Sequence, residues 1–324
     1  MTTAERTTPR AASFSEYVQR LVDNIETVIQ GKRDVVELAV LCLVAEGHML
    51  IEDVPGVGKT SLAKALAASI DGSFGRVQFT PDLLPTDVVG VSVFHRGTDE
   101  FEFRSGPIFA NVVLADEINR ASPKTQAALL EAMAERQVTV DGTTHVLEAP
   151  FMVIATQNPI EHEGTYPLPD SQLDRFLLRG SMGYPDRAAE LDMLDQHGEH
   201  DALEDVRPVL RATDITAMVQ AARRIHVAEP LKAYLVDLAE ASRRHPALSL
   251  GMSPRSVLAL QRAARARAAM SGRDFTTPDD VKALAASVVS HRVMITPEAE
   301  QQGRDAAGIL DEIVASVPVP RATG

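Results

Sequence analysis

The sequence predicts an α/β fold, a parallel sheet covered by helices and followed by an all-helical domain. Three observations carry that expectation. A glycine loop joins a short apolar strand to a helix across residues 48–70. Apolar strand-like runs then alternate with helical periodicity as far as Gly183. Beyond Tyr184-Pro185 only helical periodicity remains. The expected division is a solvated tail over 1–13, an α/β core over 14–183, a helical domain over 184–317 and a loose end over 318–324.

The elements follow in chain order. Val18, Leu21, Val22, Ile25 and Ile29 recur at helical spacing, so Phe14 to Ile29 reads as a helix that Gly31 breaks. Asp34 to Ala45 reads as a second helix, and His48 to Ile51 as a strand. Pro55, Gly56 and Gly58 bend the chain, and the helix after them lines up Leu62, Leu66 and Ile70. Arg76 to Thr80 reads as a strand. Val91–Phe94 and Glu100–Phe103 flank Arg96-Gly97-Thr98-Asp99 as a hairpin. Asn111 to Ala115 is a continuous apolar run of the kind covered on both faces. Ser122-Pro123 caps and starts a helix through Glu135. Gln137–Val140 and His145–Leu147 flank Asp141-Gly142, a second hairpin, and Phe151 to Ala155 is a further buried strand. In the helical part Pro230, Ser253-Pro254 and Thr277-Pro278 open helices.

Composition narrows the function classes. The 324 residues are 45% hydrophobic and 24% charged, ordinary for a globular protein. There is no tryptophan, aromatics are 4%, and the net charge is −13. Few stacking platforms and an acidic balance argue against general nucleic-acid binding. Cys42 is the single cysteine, in an apolar helix, and reads as a small hydrophobe. Residues 1–13 lack a signal peptide's apolar core, and no apolar run reaches membrane-spanning length, so no membrane span and a cytoplasmic location are expected.

The chemistry concentrates in three stretches. His48 to Ser61 reads HMLIEDVPGVGKTS, with the strand, glycine loop, Gly-Lys-Thr and helix layout of a phosphate-binding loop. Glycines let backbone N–H groups turn inward, and the helix start adds unsatisfied donors. Lys59 is placed to reach the β- and γ-phosphates of a nucleotide and the Thr60 hydroxyl to ligate magnesium. Asp53 stands where the usual motif has its first glycine. Asn111 to Glu117 is an apolar strand ending in two carboxylates. Asp116 is a candidate to hold magnesium directly or through water, and Glu117 to polarise the attacking water. Phe151–Ala155 runs into Thr156-Gln157-Asn158-Pro159. Asn158 is a candidate to hydrogen-bond the attacking water or the γ-phosphate, though Asn-Pro also suits a plain turn. Arg175 and Arg255 are candidates to complement transition-state charge, and a surface salt bridge is the alternative for each.

Taken in order, Val54 to Thr60, Leu114 to Arg120, Ala155 to Pro159 and Gly251 to Arg255 resemble an AAA+ ATPase. More narrowly, Asp116 to Ala121 and Gln157 to Pro169, running into Gln172 to Phe176, resemble the MoxR family. The resemblance spans about Phe14 to Val317; His162 stands where a glutamine is expected. It implies an AAA+ P-loop NTPase core and a helical lid, with ATP and Mg2+ as ligands. It places Pro55, Gly56, Val57, Gly58, Lys59, Thr60 and Ser61 in the phosphate-loop motif and Asp116 and Glu117 in the Walker B motif. Asn158 matches sensor 1 and Arg255 sensor 2. Val28, Ile29 and Gly31 match the stretch that borders adenine. Arg175 matches the arginine finger that reaches a neighbouring subunit, with Arg179 the nearby alternative. Val91–Phe103 and Gln137–Leu147 match the helix-2 insert and the hairpin before sensor 1, which in related ATPases act on a client. The resemblance further implies a homo-oligomeric ring, commonly a hexamer. The implied work is the remodelling or activation of a partner protein, often one with a von Willebrand factor A domain, and includes metal insertion.

Other readings stay open. A magnesium-chelatase-like motor subunit shares the insert arrangement, but the compact match over Gln157–Phe176 favours the protein remodeller. A nucleic-acid motor fits poorly with the acidic charge. A nucleotide-gated scaffold has no need of a water-activating carboxylate such as Glu117.

Overall fold

The computed structural model describes residues 11–97, 99–158, 164–185, 187, 190–191 and 202–319. His162 and most of the two expected tails lie outside the described residues. The chain forms two compact units, one of residues 21–212 and one of residues 213–324 together with the first twenty.

The first unit is built on a five-stranded sheet. Its strands are β1 (Met49–Glu52), β2 (Phe74–Gln78), β5 (Val112–Asp116), β8 (Met152–Gln157) and β9 (Leu178–Gly180). Their order is β2-β5-β8-β1-β9, and every pairing is parallel. Helices α2 (Arg33–Val44), α3 (Lys59–Ser69), α4 (Pro85–Val89), α5 (Pro123–Glu135), α6 (Asp170–Leu173) and α7 (Ala202–Asp205) accompany it, with the 21–26 end of α1 (Ala11–Glu26), whose earlier residues group with the other unit. The sheet strands read as apolar runs because they are covered: Met49, Leu50, Ile51, Val112, Val113, Leu114, Val153 and Ile154 are all fully buried. Leu62, Leu66 and Ile70 are fully buried too, as the periodicity of the loop helix predicts.

Two antiparallel hairpins leave this sheet. One pairs β3 (Gly90–His95) with β4 (Glu100–Ser105), and the other pairs β6 (Gln137–Val140) with β7 (Thr143–Val146). The second turns through Asp141 (φ 49°) and Gly142 (φ 79°). Two successive left-handed residues match the right-handed twist of the flanking strands, the preference that Asp-Gly signals.

Local boundaries differ from the sequence expectation. α1 begins at Ala11, inside the expected tail, and ends at Glu26 rather than Ile29. The Val28 and Ile29 amides both donate to the Ile25 carbonyl, closing the helix in a turn. β2 lies two residues earlier than Arg76–Thr80, because its ladder is set by pairing Phe74–Gln78 with Val112–Asp116. The expected boundary near Gly183 also moves. Residues up to 212 group with the α/β unit, since the Val209 and Leu210 amides donate to the Ser69 carbonyl at the end of α3.

The second unit holds α8 (Ala212–Arg223), α9 (Glu229–Arg244), α10 (Pro254–Met270), α11 (Pro278–Val289), α12 (Pro297–Gln301) and α13 (Ala306–Ser316). Its core gathers Leu231, Tyr234, Leu235, Leu260, Val281, Leu284, Val288, Ile309 and Ile313. It is not wholly helical. β10 (Leu248–Leu250) pairs antiparallel with β11 (Met294–Ile295). Strands this short carry no readable alternation, so the sequence does not announce them.

Candidate active site

In an open parallel sheet, ligands sit beyond the carboxyl ends of the strands. The ends of β1, β8 and β5 lie side by side here, with Ile51 opposite Thr156 and Ala115 opposite Ala155. That adjacency brings the glycine loop, the two carboxylates and Asn158 to one edge of the unit.

The loop after β1 turns through Gly56 (φ 86°) and Gly58 (φ 93°), values costly for any residue with a Cβ. Gly58 is the N-cap of α3 and supplies no side-chain cap, so the first-turn N–H groups have no side-chain acceptor from that position. Lys59 Nζ donates to the carbonyls of Asp53 (2.9 Å) and Val54 (3.2 Å), which folds its charge back over the loop. Pro55 and Gly56 are exposed, while Val57, Thr60 and Ser61 are half-buried. A cradle of free N–H donors, a helix N-terminus and a lysine fits a polyphosphate.

Asp116 ends β5, and both its oxygens are engaged. Thr156 Oγ1 donates to Oδ1 (2.7 Å), and Arg76 Nη2 donates to Oδ2 (2.9 Å). Glu117 follows in the left-handed region (φ 56°, ψ 49°), a conformation that costs an ordinary side chain about 1–2 kcal/mol. Three contacts hold it there. Its amide donates to Thr156 Oγ1 (2.9 Å), Gln78 Nε2 donates to its Oε2 (3.0 Å), and Arg120 Nε lies 3.3 Å from the same oxygen. Among the described residues no cluster of three or more His, Cys, Asp or Glu could hold a metal alone. Thr60 and Asp116 instead fit Mg2+, which keeps waters and takes only one or two protein oxygens beside phosphate oxygens.

Asp53 is the departure from the usual loop motif, and the structure gives it a set of partners. Its carboxylate is buried and accepts from Val54 N (3.0 Å), Ser181 Oγ (2.9 Å), Met182 N (2.6 Å) and Gly183 N (2.7 Å). Burial alone pushes its pKa up. The donors from Gly183, Ser181, Met182 and Val54 outweigh that, and the carboxyl is held below the ordinary aspartate value.

The remaining candidates divide. Ile29 is buried and Gly31 has φ 68°; a methyl built on Gly58 would stand 3.7 Å from Ile29 Cδ1, so the Val28–Gly31 turn borders the loop. Asn158 is buried directly after β8. Arg175 is not part of this constellation: its Nη1 donates to the Leu130 carbonyl in α5 (2.6 Å). Arg179 lies on β9 opposite Leu50 and pairs with Glu52 (3.3 Å). Arg255 belongs to the other unit, exposed in the first turn of α10. Sequence reasoning missed Arg76, Gln78 and the Ser181–Gly183 segment. A signal existed for the first two. They alternate with Val77 along β2, and two polar residues on one face of a core strand mark a face that meets something polar.

Residues 48–178 match the family described as "ATPase family associated with various cellular activities (AAA)". Residues 240–313 match the AAA lid domain. Over 313 residues the chain is 37% identical to Chaperone MoxR1 of Mycobacterium tuberculosis, covering 94% of this chain and 82% of that protein. The chain belongs to the MoxR family of AAA+ ATPases. Among its MoxR-family relatives, Protein MoxR of Methylorubrum extorquens is 32% identical over 93% of this chain and 94% of its own. The uncharacterized protein YeaC of Bacillus subtilis is 50% identical over 93% of this chain and 94% of its own. A crystal structure of a proposed ATPase from Cytophaga hutchinsonii matches with a TM-score of 0.89 at 34% identity, covering 96% of this chain and 97% of that one. Family membership carries ATP hydrolysis as the general activity. No helix among the described residues is long and apolar enough to cross a membrane.

Proposed function

We propose that this MoxR-family ATPase spends ATP, bound with Mg2+, on remodelling or activating a partner protein. The observation that carries the reading is the convergence at one sheet edge of an uncapped glycine loop with Lys59 and the paired carboxylates Asp116 and Glu117.

In this reading the 55–61 loop and the α3 N-terminus hold the phosphates, and Lys59 exchanges its two loop carbonyls for phosphate oxygens. Thr60 and Asp116 hold the magnesium, which when bound neutralises charge on the β- and γ-phosphates. Glu117 accepts a proton from the attacking water, with Gln78 and Arg120 fixing its direction. Asn158 aligns that water or the γ-phosphate. Val28, Ile29 and Gly31 border the base. Arg255 senses the nucleotide from the helical lid.

Arg175 is proposed as the finger acting on a neighbouring subunit of a hexameric ring. Arg175 leaves one carbonyl to do so, whereas Arg179 sits in a strand and pairs with Glu52 of its own chain. The hairpin β3–β4 is proposed to meet the client. The rings of its cross-strand pair Phe94 and Phe101 lie 5.1 Å apart, tilted by 53°, and stay 45% and 74% exposed. A partner with a von Willebrand factor A domain, metal insertion as one task and a cytoplasmic setting complete the proposal. The chaperone named among the relatives supports the client class.

Mixing variants tests the shared site. Arg175→Ala subunits keep their own loop, and Lys59→Ala subunits keep Arg175. If Arg175 acts in trans, mixing the two restores part of the ATPase activity, whereas mixing Arg255→Ala with Lys59→Ala does not. Rescue by Arg179→Ala subunits and none by Arg175→Ala would transfer the role. A Glu117→Gln trap loaded with ATP is expected to retain the client in a pull-down.

A further inference from the structure

We infer that Asp53 is a positioning residue that locks the Ser181–Gly183 segment to the phosphate loop, and so builds the wall against which the nucleoside part of the nucleotide rests. The inference rests on the ATP-binding reading above.

Asp53 is the first residue after β1, and its amide still continues the sheet by donating to the Gln157 carbonyl (3.1 Å). Its backbone is therefore fixed to the sheet on one side and to Lys59 Nζ on the other. A glycine at this position would keep both contacts. Besides accepting from the neighbouring Val54 amide, the carboxylate adds the grip on a segment 128–130 residues further along the chain. Two of the three donors there are main-chain N–H groups, so the carboxylate fixes the path of the backbone and not merely one side chain.

That path has a consequence beside the loop. Met182 is buried, and its Cε would stand 3.6 Å from a methyl group built on Gly58; Ile29 Cδ1 would stand 3.7 Å from the same point. Met182 and Ile29 thus flank Gly58 together, one from each of two distant segments. A second tie joins these segments: Lys32 Nζ donates to the Tyr184 carbonyl. Ile29 of the 29–32 turn and Met182 of the 182–184 segment form one apolar border on the loop, a surface suited to packing against a nucleoside base. With Asp53 removed, the Met182 and Gly183 amides lose their acceptor and the 182–184 side of that border is released. Within the loop the carboxylate touches only the Val54 amide, so the phosphate cradle of Gly56, Gly58, Lys59 and the α3 N-terminus is expected to survive its loss.

The test compares two probes on the full chain, ATP and inorganic tripolyphosphate, both with Mg2+, by titration calorimetry. Asp53→Gly restores the ordinary motif, Asp53→Asn keeps the shape without the charge, and Ser181→Ala removes one donor from outside the loop. For Asp53→Gly and Asp53→Asn, ATP affinity is expected to fall about tenfold or more, the effect of losing a hydrogen bond to a charged group, with a smaller loss for Ser181→Ala. Tripolyphosphate affinity is expected to stay within about twofold of wild type, below the cost of a single lost hydrogen bond. The KM for ATP should rise while kcat holds. Equal losses for both probes would mean that Asp53 supports the phosphate cradle, which overturns the inference; unchanged ATP affinity also overturns it. Should Asp53→Gly fail to fold, Ser181→Ala decides by the same split. A wild type that binds neither probe overturns the ATP reading itself, whereas a wild type that binds both leaves that reading standing and lets the variants decide the role of Asp53 alone.

Discussion

Asp53 and Asp280 are both buried carboxylates, one in each unit, and they are satisfied in opposite ways. Asp280 is met locally. Arg273 grips both its oxygens (2.8 and 2.6 Å), and the Thr277 amide and hydroxyl donate to it at the start of α11 (2.8 and 3.0 Å). Its hydrogen-bond donors lie three and seven residues away, and Arg267 Nε of α10 stands 3.6 Å from Oδ1. Asp53 meets only neutral donors in its own contacts, and all but Val54 come from 128–130 residues away. The local arrangement closes a helix start and stabilises the unit that contains it. The distant one joins two segments at the site, where geometry matters more than net stabilisation. The comparison teaches where to expect loss of function and where to expect loss of fold.

Lys59→Ala should give the largest effect and the cleanest separation. It removes the charge assigned to the β- and γ-phosphates and leaves only two part-buried carbonyl contacts unmade. Equilibrium binding of a fluorescent ATP analogue is expected to be lost while the melting temperature stays near wild type. A variant that binds ATP normally removes Lys59 from the role. One that melts as readily as an Asp280 variant breaks the division between site and scaffold.

Glu117→Gln comes next. The amide keeps the shape, and Gln78 can still donate to its oxygen, but it is a poor base. Turnover should fall by ~10²–10⁴-fold with ATP binding retained. Steady-state hydrolysis and ATP titration on the same preparation check both halves; unchanged turnover would sink the assignment.

The same contrast explains what the sequence reveals. Lys59, Thr60, Asp116 and Glu117 are legible because a loop, a strand end and a helix start are local patterns. Ser122, Ser253 and Thr277 are legible as helix starts for the same reason, and each does cap or box its helix. Asp141-Gly142 fixes its turn through backbone angles that few other pairs accept. Arg76 and Asp116 meet across 40 residues, and Asp53 meets Met182 across 129. Such pairs depend on the order and register of strands, which periodicity along one strand does not determine. The left-handed backbone at Glu117 is hidden too, because tertiary contacts and not residue type hold it there.

Asp280→Ala probes the scaffold side. It leaves the Arg273 guanidinium, only 28% exposed, with the Phe275 carbonyl but no carboxylate, and opens the start of α11. Breaking a buried pair in this way typically costs about 3–5 kcal/mol, and the lower end applies here because Arg273 retains some solvent. Urea denaturation of the full chain should show the loss, with tripolyphosphate affinity of the folded protein unchanged. A loss below about 1 kcal/mol, the worth of an exposed pair, would mean that solvent already does what Arg273 is assigned.

The smallest effect concerns acid, and it asks whether the two carboxylates matter as charges. Burial raises the pKa of each, but for Asp280 the Arg273 hydrogen bonds, the Thr277 donors and the Arg273 charge prevail, and for Asp53 the four hydrogen bonds prevail. Both groups are therefore held below the ordinary value in the folded chain. In the unfolded chain each takes up its proton near the usual aspartate pKa of about 3.9. Between that value and the lower folded one, the unfolded state binds more protons, so stability falls as pH falls. Each contribution is complete above about 4 and disappears as pH drops through the folded pKa. Asparagine cannot titrate. Asp53→Asn and Asp280→Asn should each be destabilised at pH 7, and each should approach wild type as the pH is lowered below about 4. Urea midpoints measured from pH 7 down to pH 2 follow this convergence. Asp280→Asn should show the larger gap at neutral pH, because it also removes the attraction to a cation. A gap that stays constant with pH at either position would mean that shape, and not charge, is what the site requires there. For Asp53 that outcome would leave the grip on Met182 and Gly183 intact but make it independent of ionisation.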